Sequence, residues 1–416
     1  AGIIKTMVVN VISTGLGIKP NINAKLLGIS EDRKEVFEEA AKQVWHEFIQ
    51  ESDMTGLHFD CEAQPLIYNS ALENAEALIQ ITHKEDKSRP FSTAINIIES
   101  DRLETPPQFR GDKTIRSGIK FNRFGAPVGY WIREDHPGDM QFRNPKKARK
   151  YRFVRAKNVF GRKNVIHYFD KTRAGQSRGV PLLTPAMPLF KDLGESLEAE
   201  VVAQRIAACI GLVIENEDAV ASNIQATTEI NATAQREEGI EPGMIKRLFP
   251  GEKMTAFMPQ RPGFMWDTFV ERILRVIATS LGLPYELVGK DFSKVNMSSA
   301  RVAIQEARRL FRMKQMSFFT KIIQPIYESV MDEAFLIGRL PVNDYFAKRG
   351  LYVRTKAKLP GWPWVDPLKD SKAADTGLRN RTQTLANIYS DRGEDWEDGL
   401  AQRKRELEAI EKLGLP

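Results

Sequence analysis

The chain is 416 residues long, 42% hydrophobic and 28% charged, with a net charge of +7. A single core tends to split beyond roughly 250–300 residues, so two or three ordered domains are expected, and the basic balance (pI near 9.2) favours a polyanionic partner. Two cysteines, Cys61 and Cys209, exclude a disulfide framework and leave too few thiolates for a cysteine metal site, and no apolar run reaches the roughly 18–20 residues of a membrane span.

Residues 1–20 open with an apolar run, Ile3 to Ile12, and then Gly15 and Gly17, which predicts a short helix or strand ending in a glycine turn. Ser30 starts a helix by capping it. Acids fill the first turn, and Val36, Phe37, Ala40, Ala41, Val44, Trp45 and Phe48 form an apolar stripe. A second helix, with weaker signals, is placed at about 66–84. From 90 to 170 the pattern changes to short strands punctuated by Gly, Pro, Asn and Asp: Phe91–Ile98, Ile115–Phe121, Pro127–Arg133, Tyr151–Val154 and Asn164–Phe169. A hairpin turn is expected near Arg123 to Ala126, and the block reads as a small β-rich domain.

Thr184 to Ile210 repeats apolar residues at helical spacing: Leu189, Phe190, Leu193, Leu197, Val201, Val202, Ile206 and Ile210. The opposite positions, among them Lys191, Asp192, Glu195, Glu198, Glu200 and Arg205, alternate in charge, and Gly211 is the expected stop. Residues 211–263 interrupt the helices with a polar and then a proline- and glycine-rich stretch. Met265 to Leu281 is helical again. Ser298 to Gly338 reads as one long helix with Pro325 inside, where a kink or break is expected. Residues 341–363 are irregular, with a strand placed at Leu351–Thr355. From Trp364 onward the chain is helical and charged, broken at Asp391-Arg-Gly-Glu. Two helices flanking an insert suggest a stalk with a compact tip rather than a catalytic cleft.

Chemical motifs are missing. The sequence holds no G-x-x-x-x-G-K-[ST], H-E-x-x-H, G-x-S-x-G or C-x-x-C, and His46, His58, His83, His136 and His167 are scattered. Glu134-Asp135-His136 reads as a solvated turn and His167 as a satisfied structural histidine. Cys61 and Cys209 have small or apolar neighbours and are expected to be buried free thiols of a protein made in a reducing compartment. With no signal peptide visible, the expectation is a soluble protein of intracellular origin, not an enzyme, with no metal and no cofactor. The start at Ala1 rather than Met predicts a missing N-terminal piece.

Basic residues cluster. Ten Lys/Arg and no acid fall between Met140 and Phe169: Arg143, Lys146, Lys147, Arg149, Lys150, Arg152, Arg155, Lys157, Arg162 and Lys163. They interleave with Phe142, Tyr151, Phe153 and Phe160, a pattern that can serve single-strand stacking, but a solvated loop or a surface against a neighbouring subunit is the favoured reading. The long helix carries Arg301, Arg308, Arg309, Arg312, Lys314 and Lys321, with Arg301, Arg308 and Arg312 near one face as candidates for DNA or subunit contact. Between the helical patterns Met265–Leu281 and Ser298–Gly338 lies Leu281-Gly-Leu-Pro-Tyr-Glu-Leu-Val-Gly-Lys-Asp-Phe-Ser-Lys-Val-Asn-Met-Ser-Ser-Ala-Arg301. Its loop exposes Lys290 and Lys294 and offers no nucleophile or paired carboxylates.

In order and spacing, four motifs resemble the portal proteins of lambda-type tailed bacteriophages. These are Asn164-Val-Ile-His-Tyr-Phe-Asp-Lys-Thr-Arg-Ala-Gly-Gln-Ser-Arg-Gly-Val-Pro181, Pro242-Gly-Met-Ile-Lys-Arg-Leu-Phe-Pro-Gly-Glu252, the segment from Ile277 through Leu287 to Phe292–Arg301, and Trp364-Val-Asp-Pro-Leu-Lys-Asp with Asp391-Arg-Gly-Glu-Asp. The resemblance spans roughly residues 1–410 and implies an α+β portal fold. Its regions would be an α/β wing (1–183), stem helices (184–210 and 264–287), a small α/β clip (211–263), a tunnel loop (288–297), a long kinked helix returning through the wing (298–363) and a helical crown (364–416).

The implied function is a dodecameric ring at the unique capsid vertex, passing double-stranded DNA without sequence preference during packaging and ejection. The implied partners are the terminase large subunit, the major capsid protein and a neck or tail adaptor, with no membrane; ATP hydrolysis would belong to the terminase. The implied place is the virion, after assembly in the host bacterial cytoplasm. Lys290, Ser293, Lys294 and Asn296 would line the channel as a weak positive collar. Glu215, Lys246, Arg247, Glu252 and Lys253 would offer docking for terminase and adaptor. The rival readings are a basic nucleic-acid enzyme, such as a nuclease with dispersed carboxylates, and a head or tail structural protein of another symmetry.

Overall fold

The computed structural model describes residues 2–138, 150–208, 211–216, 252–257, 265–293, 296–364 and 366–414. The opening apolar run is helix α1 (Gly2–Val11), which buries Ile4, Met7 and Val11. The chain then reverses at Gly15, whose φ of +109° and close approach to Asp60 (a Cβ there would lie 2.6 Å from the Asp60 Cβ) require glycine. Strand β1 (Gly17–Pro20) and a single turn α2 (Ala24–Leu27) follow. In α3 (Glu31–Gln50) the Ser30 hydroxyl accepts the Arg33 N–H, and Phe37, Ala41, Val44, Trp45 and Phe48 are buried as the periodicity predicts. The helix expected at 66–84 is half strand. Helix α4 covers Gln64–Glu73, Ala75 adopts a φ of +74°, and Glu76–His83 is strand β2. Cys61 is exposed rather than buried, because its short π-helical turn presents it to solvent, and Cys209 lies outside the described residues.

Strand β2 is the centre of a three-stranded antiparallel sheet, between β3 (Thr93–Ile98) and β8 (Val165–Phe169). A second antiparallel sheet runs in sequence order through β4 (Ile115–Arg116), β5 (Ile119–Phe121), β6 (Pro127–Arg133) and β7 (Tyr151–Arg155). The hairpin between β5 and β6 turns where expected, with the Asn122 side chain accepting the N–H groups of Phe124 and Ala126. Leu78, Ile98, Leu103, Ile119, Ile132 and Val165 join both sheets in one core.

By contact the chain divides into two compact units, Pro185–Leu281 and the remainder, so the β-rich block shares a unit with the N- and C-terminal helices instead of standing alone. In the smaller unit, α5 (Met187–Ala208) and α6 (Trp266–Ser280) pack together, and β9 (Gly211–Asn216) pairs antiparallel with β10 (Glu252–Phe257). The larger unit resumes with α7 (Tyr285–Gly289) and α8 (Met297–Phe318). A π-helical turn, Phe319–Ile323, leads into α9 (Gln324–Leu336). Pro325 has no N–H to give, and the widened turn just before it, in which the Gln324 N–H reaches back to the Phe319 carbonyl, absorbs the mismatch. The strand expected at Leu351–Thr355 is displaced: Arg349–Tyr352 is a helical turn, α10, and β11 is Thr355–Lys358. The expected pattern missed that Arg349 is tethered to Asp332 by a 2.7 Å bond. Helices α11 (Pro367–Arg379), α12 (Leu385–Asp391) and α13 (Trp396–Leu413) end the chain, with the predicted break at Arg392-Gly393.

The larger unit is closed by a two-stranded ribbon, β1 against β11, with Gly17 opposite Lys358 and Pro20 opposite Thr355. Three glutamines hold it. Gln64 accepts from the Leu16 N–H at 2.8 Å and donates to the Leu16 carbonyl at 3.0 Å, just before β1. Gln324 donates to the Val353 carbonyl at 2.9 Å and bonds Thr355, at the start of β11. Gln315 donates to the carbonyls of both Val11 and Pro360, 3.1 Å each, on either flank. Gln64 and Gln324 sit alike in sequence, as Phe59-Asp-Cys-Glu-Ala-Gln-Pro65 and Phe319-Thr-Lys-Ile-Ile-Gln-Pro325, each ending a π-helical turn that opens a helix.

His167 is satisfied, as expected. Its Nε2 lies 2.8 Å from an oxygen of Glu76, which is itself 1% exposed. The same carboxylate takes the Arg178 guanidinium and the Gly179 N–H. Arg178 also donates to the carbonyls of Ser100, Leu103 and Ser117. A Cβ on Gly179 would meet the Ala75 carbonyl at 2.1 Å. Burial alone would raise the Glu76 carboxyl, but hydrogen bonds from His167 and Arg178 hold it below its usual value.

Gln64→Leu strands the buried N–H and C=O of Leu16, and is expected to cost about 3 kcal/mol, read as a lower urea midpoint at fixed protein concentration. Since the folded pKa of Glu76 is depressed, its stabilisation is present above the unfolded carboxyl value near 4.5 and is lost as pH falls through the folded value. The stability gap between the parent chain and Glu76→Gln should therefore be wide at pH 7 and narrow as the pH falls below the unfolded value near 4.5; a gap that stays constant through acidification would refute the assignment.

Candidate functional site

The segment between α7 and α8 sits at a helix–helix junction, where the expected channel residues divide by role. Lys290 ends α7 in the left-handed region (φ +54°) and is exposed. Asp291 folds the next turn by accepting the N–H and hydroxyl of Ser293, at 2.9 and 2.6 Å. Asn296 caps α8, its side-chain oxygen taking the Ser299 N–H at 2.8 Å. Lys294 lies outside the described residues. Ser293 and Asn296 are thus engaged in local structure, and Lys290 is the described residue of the four whose charge is free for a ligand.

Arg301, Arg308 and Arg312 do share one face of α8, and that face is turned toward the C-terminal helices. Arg301 pairs with Asp370. Arg308 donates to the Pro363 carbonyl at 3.0 Å, and its Nε is buried with no hydrogen-bond partner. Both Arg308 and Arg312 stack on the Trp362 ring, at 5.6 and 5.2 Å from its centroid, and Arg312 lies 3.9 Å from Asp391. Burial lowers the pKa of both, partly offset by Asp370 for Arg308 and by Asp391 for Arg312. Together with Met313, Met316 and Trp364 they line a cavity of about 1160 Å³. Two other cations of the long helix have partners of their own: Lys314 pairs with Asp170, and Lys321, which also lines the cavity, bonds the Phe169 carbonyl at 3.3 Å beside the Tyr168 ring.

The basic cluster of 140–169 is described in part. Arg143, Lys146, Lys147 and Arg149, with Phe142, lie outside the described residues. Arg152 reaches Gln80 at 2.8 Å, and Arg162 pairs with the buried Asp332 at 3.0 Å. Arg155 and Lys157 stay exposed, beside the exposed Val159 and Phe160. Of the expected docking residues, Glu215 faces Lys253 and Glu252 faces Asn216 across the β9–β10 ladder. Lys246 and Arg247 lie outside the described residues.

Pattern reading missed the cavity itself. Its signal in the sequence is Arg308 and Arg312 one helical turn apart with Trp362 and Trp364 downstream, but no local rule brings those segments together. The expected apolar stripe of α5 also behaves unexpectedly. Leu193 is buried, while Leu197, Val201 and Val202 are 43–46% exposed and the supposedly solvated Glu200 is buried. On α6, Phe269 and Val276 are likewise about half exposed. Among the described residues no group of three or more His, Cys, Asp or Glu is gathered as a metal would need, and no helix is long and apolar enough to cross a membrane.

Similarity to known proteins points one way. The chain is 24% identical to the portal protein of Escherichia phage N15 over 94% of its own length and 78% of that protein's. It is 22% identical to portal protein B of Escherichia phage lambda, covering 94% and 77%. A probable portal protein of Halomonas phage phiHAP-1 is 25% identical, covering 88% and 68%. Among solved structures, a chain in the neck of a native gene transfer agent particle aligns at a TM-score of 0.41 and 13% identity over 87% of each chain, a likeness too low to bear on fold or function. The sequence model of the family described as phage portal protein, lambda family, matches residues 1–315. The chain belongs to the lambda family of phage portal proteins.

Proposed function

We propose that the chain is the subunit of a dodecameric ring at the unique vertex of the capsid. The ring passes double-stranded DNA inward during packaging and outward during ejection. It docks the terminase large subunit first and a neck or tail adaptor later, and is seated in the major capsid protein after assembly in the host bacterial cytoplasm. No catalytic step is assigned to it. The observation that supports a ring most directly is the uncovered apolar face of the smaller unit: Leu197, Val201 and Val202 on α5, Phe269 and Val276 on α6. Adjacent apolar side chains on one helix face remain in water only at a cost of roughly 1.5–3 kcal/mol each when fully exposed, and a neighbouring copy presenting the same helices removes it.

In this reading residues 1–183 are the wing, 184–210 and 264–287 the stem, 211–263 the clip, 288–297 the tunnel loop, 298–363 the returning helix and 364–416 the crown. The loop's contribution is Lys290 with Lys294, repeated around the ring as a collar of cations. Flexible ammonium groups meet phosphates without reading bases, and so hold DNA weakly enough to let it move. The clip residues Glu215, Lys246, Arg247, Glu252 and Lys253 serve docking by rim charges, which set on-rate and partner choice.

Purified protein imaged by electron microscopy should show rings of roughly twelvefold symmetry with an open centre, and Leu197→Asp with Val201→Asp should abolish them. A uniform population of small particles from the parent chain would count against the ring. Lys290→Gly with Lys294→Ala should leave rings intact and impair packaging or retention of DNA. Glycine at 290 removes the charge and also relieves a left-handed backbone worth about 1–2 kcal/mol, so a loss of rings in this variant would sink the loop assignment. Asn296→Ala, by contrast, is expected to cost about 1 kcal/mol through the lost helix cap, seen in the melting temperature.

A further inference from the structure

The cavity between α8, the Trp362–Trp364 segment and helices α11 and α12 is lined wholly by residues of one compact unit, so a single chain forms its walls. At about 1160 Å³ it is somewhat larger than the roughly 300–1000 Å³ typical of small-molecule sites. Its charge is unbalanced. Arg301, Arg308, Arg309, Arg312 and Lys321 face it, against Asp370 and Asp391. Asp370 is already occupied by Arg301 and by the Asp366 N–H at 3.2 Å. Asp391 is 80% exposed and 3.9 Å from Arg312. Arg309 is drawn outward to Glu306 at 3.2 Å, and Lys321 is held by the Phe169 carbonyl at 3.3 Å. That leaves Arg308 and Arg312 half-buried, with a carbonyl and a distant carboxylate as acceptors and a buried Nε unused.

We propose that this cavity is a nucleoside phosphate site, in which Arg308 and Arg312 hold the phosphate and Met313, Met316 and Trp364 take the base. Two guanidiniums one helical turn apart offer planar donor forks that match phosphate oxygens. The thioethers and the indole offer a polarisable surface to a planar ring. Inorganic phosphate alone would leave that wall and most of the volume unfilled. Duplex DNA keeps its bases stacked inside and cannot present one. The ligand is therefore an unpaired nucleotide, supplied either free or by the end of a DNA strand.

Calorimetric titration of the full-length chain with deoxyadenosine monophosphate tests the site. Saturable binding is expected, with deoxyadenosine and inorganic phosphate each weaker by roughly tenfold or more. Arg308→Gln with Arg312→Gln should weaken it by at least about tenfold. Should that variant fold poorly by circular dichroism, Met313→Glu with Met316→Glu is the alternative; both side chains are about half exposed, and the added charges should expel the nucleotide while the fold is kept. If a single-stranded oligonucleotide competes with the mononucleotide and loses affinity in the same variants, the source is a strand end. If it does not compete, the source is free nucleotide. No saturation by millimolar mononucleotide on folded protein, binding that survives both double variants, or phosphate binding as tightly as the nucleotide would each overturn the proposal. The first outcome would leave an acidic segment of a second copy as the occupant.

Discussion

Everything in the larger unit rests on closing a chain whose two parts, residues 1–184 and 282–416, are separated by the whole of the smaller unit. The closure is made by a ribbon of only four residue pairs, too small to be stable on its backbone bonds alone. What stabilises it is the burial of amide side chains against the chain ends that enter and leave it. A buried peptide group left unpaired costs about 1–3 kcal/mol, so Leu16, Val353 and the carbonyls of Val11 and Pro360 must find partners. Gln64, Gln324 and Gln315 supply them. An amide suits this at Gln64 and Gln324 because it donates and accepts at once without a charge to desolvate, whereas Gln315 only donates.

The two π-helical turns belong to the same device. Each precedes a Gln-Pro pair and widens the helical turn just before the proline, which has no N–H to give. The widening places glutamine at the helix start with its side chain directed to the ribbon. Sequence reading did locate Pro325 as an interruption but had no means to see that the interruption aims a side chain, because that depends on a strand more than twenty residues further on.

Much of the local structure was legible where a side chain acts on its own backbone. The Ser30 cap, the Asn122 hairpin turn and the Gly393 break stand where they were expected. Residues 76–83 were misread because Ala, Leu, Ile and Gln serve helices and buried strands alike. The left-handed Ala75 and the centre of a sheet, both non-local facts, decide for the strand. On α5 the periodicity was right and its meaning was not. An apolar stripe reports that a face is to be buried, never by what, and here Leu197 and Val201 are uncovered within the subunit. The same gap hid the role of Arg308 and Arg312. Spacing put them on one face, but which neighbours that face meets is set by Trp362 and the helices beyond it.

Those neighbours tie the cavity to the ribbon. Trp362 stands two residues after Pro360, whose carbonyl is held by Gln315, and Gln315 lies on α8 one turn beyond Arg312. Gly361, between them, fits so tightly that a Cβ would come within 2.2 Å of the Asp391 carbonyl, fixing the end of α12 against the same strap. A wall of the cavity is therefore set by backbone contacts at Gly361 and by Gln315 and is not free to move by side-chain rotation alone. Filling the cavity with an anion would neutralise Arg308 and Arg312 on one side of that strap, while the other side stays anchored to β11. The Leu359–Trp362 segment is the physical element that links the C-terminal helices to the ribbon that closes the unit.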